Sequence, residues 1–149
     1  MSDMFSQFDT DESMEVTGIN LDYGTFRVRI ARAGGSNKKY LSFAEKKTKP
    51  LRRAIQVGAL DEKRSREILY EIYAHTIILD WEIADGENED KSVKWKRGIH
   101  KKGGGHLEFT EENVVSTFKL LPGLFQDIQS QAESLTNFKK EELEADSKN

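Results

Sequence analysis

The chain has 149 residues, 33% of them charged and 36% in the hydrophobic set, with a formal net charge of −3. That length suits one domain with a small core concentrated in a few segments. The absence of cysteine excludes disulfides, thiolate zinc sites and thiol nucleophiles, and no apolar run approaches the roughly 20 residues of a membrane-spanning helix.

Residues 1–14 read as a flexible acidic arm in which Phe5 and Phe8 are isolated apolar points. An export signal would be basic and then apolar at this place, so none is expected. The acids Asp3, Asp9, Asp11, Glu12 and Glu15 come without a base, whereas residues 91–106 carry Lys91, Lys94, Lys96, Arg97, Lys101 and Lys102 without an acid. Residues 38–66 are also strongly basic. Segregation of this kind favours charged partners or self-association and says little about fold.

From residue 16 the pattern alternates at period two. Ile19, Leu21 and Tyr23 fall on one predicted strand and Phe26, Val28 and Ile30 on the next, with Asp22, Tyr23, Gly24 and Thr25 as the turn. Asn20 and Asp22 are expected to face Arg27 and Arg29 on the solvated side. A lone two-stranded ribbon is marginal, so it must pack on helices, gain a third strand or pair between subunits. Asn37 is positioned to cap a basic helix to about Lys47, Pro50 interrupts it, and residues 51–57 add a turn or two before Gly58.

Asp61 is the next N-cap. Beyond it Ile68, Ile72, Thr76, Leu79 and Ile83 form one stripe and Leu69, Tyr73, Ile77 and Trp81 a second, predicting one wide-faced central helix that ends near Gly86. Residues 87–102 are polar apart from Val93, Trp95 and Ile99, and Gly103, Gly104 and Gly105 make the next segment flexible. Thr110 then caps a helix with Glu111 and Glu112 at its positive end and Val114, Val115, Phe118 and Leu121 on its apolar stripe. Pro122 closes that helix and opens another, through Phe125, Ile128, Ala132 and Leu135 with Phe138 near its end. Residues 139–149 form a charged tail with too little apolar surface to offset chain entropy.

The fold expected is α+β: an N-terminal β-hairpin packed on a mainly helical body, with one domain over residues 15–138 between the acidic arm and the charged tail.

No catalytic, cofactor or metal site is expected. His75 reads as a polar-edge helix histidine, and His100 and His106 flank a flexible glycine run. Asp85, Glu87, Glu89 and Asp90 lack the glycine and terminal glutamate spacing of a calcium loop. The three consecutive glycines are followed by His106, Leu107 and Glu108 rather than the Lys-Ser/Thr of a phosphate loop, and no serine sits in a Gly-x-Ser-x-Gly setting. Lys94, Trp95, Lys96 and Arg97 offer cations around a stacking ring, the basis of a nucleic-acid-binding alternative, set against a solvated segment whose tryptophan packs on the domain. The acidic arms and the pI of about 5.7 make nucleic acid an unlikely partner.

Read in order, the chain resembles the small tail assembly chaperones of long-tailed bacteriophages. The residues that carry this are the hairpin through Asp22, Tyr23, Gly24, Thr25 and Phe26 with Ala31 to Asn37 behind it, the run from Tyr73 to Trp81, Phe109 to Asn113, Leu120 to Ile128, and Ala132 with Asn137 and Phe138. The polar, glycine-rich segment 91–105 departs from that pattern. The resemblance implies a non-enzymatic role in virion morphogenesis. Such a protein binds the tape measure protein, helps recruit tail tube protein, works in the host cytoplasm, is absent from the mature virion, and is often accompanied by a longer frameshifted form. Neither a membrane nor a cofactor is implied, and a homo-oligomer is compatible with it. On this reading Val115, Phe118, Leu124, Phe125, Ile128 and Phe138 include both core and client-contact positions. A structural tail completion or connector protein and a small nucleic-acid-binding phage regulator are the alternatives.

Overall fold

The computed structural model describes residues 3–140. Its framework is an antiparallel four-stranded sheet in the order β1-β2-β3-β4, built from β1 (Ile19–Asp22), β2 (Phe26–Ile30), β3 (Ile78–Glu87) and β4 (Val93–Arg97). The β1–β2 hairpin has the expected register, with Leu21 opposite Val28, Asn20 opposite Arg29 and Asp22 opposite Arg27. Its turn is held by the Gly24 N–H donating to Asp22 Oδ1 at 2.8 Å, an Asx turn.

The hairpin gains its missing partner from a segment that the sequence pattern assigns to a helix. Helix α5, the fifth in chain order, covers Glu62–Thr76 and stops there; Ile78–Glu87 continues as β3, pairing Val28 with Trp81 and Phe26 with Ile83. A step of four residues is close to one helical turn, and it is also two whole periods of a strand, so Ile77 to Trp81 and Leu79 to Ile83 satisfy both patterns. Past Thr76 the two-residue alternation prevails: Trp81 and Ile83 are buried while Asp80 and Glu82 lie on the other face with Arg29 and Arg27. Gly86 has a left-handed φ of +89°, but it marks the register shift between Ala84 and Glu87 in the sheet and not a helix terminus. The polar segment 87–102, open to a hairpin or a loop by its sequence, supplies β4.

The helices before α5 are α1 (Met4–Phe8), α2 (Glu12–Thr17), α3 (Lys38–Thr48) and α4 (Arg52–Gln56), with Lys49–Leu51 as a 3-10 turn at Pro50. Asn37 caps α3 and Asp61 caps α5, as their sequence positions predict. Where a flexible arm was expected, α1 and α2 each start on an aspartate cap: Asp3 accepts from the Ser6 N–H and Asp11 from the Met14 N–H. The chain between them is tied to the far end of the molecule by a bridge of Thr10 to Lys139 and by the Asp11 N–H donating to Phe138 O at 2.8 Å. Most of the expected charged tail lies outside the described residues.

Helices α6 (Glu111–Leu120) and α7 (Pro122–Glu133) close the core, and a 3-10 turn over Leu135–Phe138 ends the last helix earlier than the apolar spacing predicts. Val28, Ile30, Ile78 and Trp81 from the sheet and Ile77 just past α5 meet Tyr73, Val114, Phe118, Phe125 and Ile128 from the helices. Phe125 is the hub, its ring centroid 4.7 Å from Tyr70, 5.1 Å from Tyr73 and 5.0 Å from Phe118, within the range of favourable edge-to-face packing. The class is α+β, with the sheet larger than a single hairpin.

Candidate partner-binding groove

The site begins with a proline. Pro122 cannot continue α6 and biases the preceding residue away from helical backbone, and Leu121 accordingly has φ −128° and ψ 68°. The resulting corner turns Leu120 and Leu121 out of the core, leaving them 62% and 53% exposed. Opposite the corner stands a second, two-stranded ribbon, β5 (Ile99–His100) with β6 (His106–Leu107). Buried Ile99 and the Gly98 N–H donating to Trp81 O at 3.0 Å fix this ribbon to the main sheet.

Between corner and ribbon lies a groove of about 530 Å³ lined by Leu107, Ser116, Thr117, Leu120 and Leu121, with His100, Lys101 and Lys102 along its rim. The Thr117 hydroxyl donates to Asn113 O at 2.7 Å, so the floor offers little unmet polarity. A smaller hollow of about 60 Å³ continues inward past Leu124 to Phe26, Trp81 and Ile99. Neither Lys101 nor Lys102 makes an ion pair with a described residue, and the rim is therefore cationic. An apolar trough with positive edges suits an amphipathic segment that carries acids beside its apolar face.

The structure divides the six residues singled out as core or client contacts. Phe118, Phe125, Ile128 and Phe138 are buried core. Leu124 is half-buried and lines the inner hollow, while Val115 is half-buried beside Phe43, Lys47, Glu71 and Glu111 in a separate, more polar hollow. Leu120 and Leu107 lie outside that set. Leu120 falls off the apolar stripe of α6, and an apolar residue off the stripe and next to a helix-ending proline is the signal that marks it.

Lys94, Trp95, Lys96 and Arg97 all lie on the edge strand β4. The Arg27 guanidinium covers the Trp95 ring at 4.4 Å from its centroid and also pairs with Glu82 at 2.7 Å. Arg97 pairs with Asp80 at 2.9 Å and lies over the Phe109 ring. Trp95 thus stacks on the protein's own arginine, leaving Lys94 and Lys96 exposed.

The remaining candidates for chemistry make contacts within the chain. His75 Nδ1 lies 2.6 Å from Glu111 Oε1 and its ring stacks on Phe43, joining α5 to α6 and α3. His100 and His106 face each other across the β5–β6 pair. Asp90 accepts from the Ser92 hydroxyl and N–H in the β3–β4 turn, contacts that hold its carboxyl below the usual range. No group of three or more metal-ligating side chains occurs among the described residues, and no helix among them is long and apolar enough to cross a membrane.

Residues 35–149 match the family described as YdaY prophage protein. The chain belongs to this family. The YdaY match starts just ahead of α3 and takes in both walls of the groove, while α1, α2, β1 and β2 precede it. Membership makes this a phage-derived protein, consistent with the bacteriophage origin implied by the sequence resemblance, without naming a tail role. No curated protein and no solved structure matches the chain.

Proposed function

We propose that this prophage protein is a tail assembly chaperone. It binds apolar helical segments of the tape measure protein, helps recruit tail tube subunits around it, and acts without enzymatic chemistry in the host cytoplasm, leaving before the virion is complete. The observation that carries the reading is the Leu120–Leu121 corner, two adjacent large apolar side chains held out beside a basic-rimmed apolar groove. Covering one leucine is worth about 2 kcal/mol when burial is complete, so a contact of this size holds a client and still releases it. A tape measure protein is long and helical with apolar stripes, and this groove fits such a stripe where acids flank it.

Co-expression with a tape measure fragment from the same prophage tests the reading. The wild-type chain should keep the fragment in the supernatant, and Leu120→Asp with Leu121→Asp should not. Phe125 and Ile128 are unsuitable for this test because both are core residues whose replacement by aspartate would unfold the domain. A fragment that stays insoluble with wild type, or equally soluble with the double variant, would refute the proposal.

A further inference from the structure

The groove has a match within the chain itself. Helix α1 has no buried residue, and Met4, Phe5 and Phe8 are 67%, 65% and 67% exposed. At 3.6 residues per turn these three positions fall within an arc of about 100°, which makes one apolar face. The surrounding sequence is acidic. Asp9 pairs with Lys140 and Glu15 with Arg32, which leaves the carboxylates of Asp3, Asp11 and Glu12 directed to no cation among the described residues. An apolar face edged with acids is the complement of an apolar groove edged with Lys101 and Lys102.

Within one molecule the two surfaces do not meet: no residue of α1 lines the groove, and its apolar face stays exposed. The chain after α1 is fastened beside Phe138 and Lys139, past the C-terminal end of α7, while the groove lies at Leu121, before its N-terminal end. The intervening helix α7 is 12 residues, about 18 Å, long. We infer that α1 of one molecule docks in the groove of a second copy of this chain. The patch and the groove are different surfaces, so the contact is either exchanged reciprocally within a two-fold pair or repeated head-to-tail from copy to copy. This inference rests on the groove of the proposed function and adds a competitor for it: a client helix enters by displacing a neighbour's α1.

The absence of cysteine makes the contact readable by single introduced thiols. A size-tagged Phe5→Cys protein mixed with an untagged Leu120→Cys protein under mild oxidation should form the mixed disulfide several-fold faster than Val57→Cys, also exposed, mixed with Leu120→Cys, and high salt should reduce the difference. In light scattering the wild-type mass should rise with concentration, while Phe5→Asp with Phe8→Asp should stay at the 17.1 kDa monomer with an unchanged unfolding transition. Equal cross-linking rates, a wild type that stays monomeric, or an α1 variant that still associates would each overturn the inference. None of these readouts involves a client, so the chaperone reading stands or falls on its own test.

Discussion

Glu15 is buried on α2 and accepts a hydrogen bond from the Arg32 guanidinium just past β2, with the Ser36 N–H as a second donor at 3.2 Å. This pair fastens the N-terminal helices to the sheet, and it is so close-fitting that a side chain at Gly35, where φ is +54°, would collide with both partners. Burial alone would raise the Glu15 carboxyl, but the bonds from Arg32 and Ser36 outweigh it and hold the group below its ordinary value.

A depressed carboxyl contributes stability that is present above the unfolded-state value and lost as pH falls through the folded one. Glu15→Gln should therefore cost about 3 kcal/mol in urea unfolding near neutral pH, because it leaves Arg32 without its anion. It should also flatten the loss of stability on acidification below about pH 5. Superimposable acid profiles would contradict this role.

The Tyr23 hydroxyl donates to Asp127 Oδ2 at 2.5 Å, linking the hairpin turn to α7. Burial and then the Asp127 charge push the phenol above its usual range. The sign is opposite to that of Glu15: the contribution is present below about pH 10 and lost as the medium becomes more alkaline. Tyr23→Phe should cost about 1 kcal/mol at neutral pH and make the alkaline fall shallower, with Tyr40 and Tyr73, both also raised by burial, contributing to what remains.

Much of this fold is legible in the sequence. The hairpin register, the caps Asn37, Asp61 and Thr110, and the Pro122 break all rest on local chemistry that tertiary contacts do not override. The third strand is hidden because a four-residue step serves both helix and strand, and only pairing with Phe26 and Val28 decides between them. The ordered arm escapes sequence reading because its two caps are single aspartates and its anchor, Phe138, is over a hundred positions away. The groove is not legible: the spacing places Leu121 on the apolar stripe of α6, whereas it is 53% exposed, and the opposite wall comes from a ribbon whose position depends on the sheet.

The division of apolar residues into core and surface yields a paired prediction. Phe125→Ala removes a ring packed on Tyr70, Tyr73 and Phe118 and should cost about 3–5 kcal/mol. Leu120→Ala, at an exposed position, should change stability by no more than about 0.5 kcal/mol. Thermal unfolding of the two variants beside wild type checks both values.

The proposed client contact at the Leu120–Leu121 corner is read out by titrating a labelled apolar tape measure helix into the wild-type chain and into the Leu120→Asp with Leu121→Asp variant. Binding should be at least about tenfold weaker in the variant, or about 1.4 kcal/mol, with the unfolding transition of the chain unchanged. Equal affinity for the two proteins would contradict it.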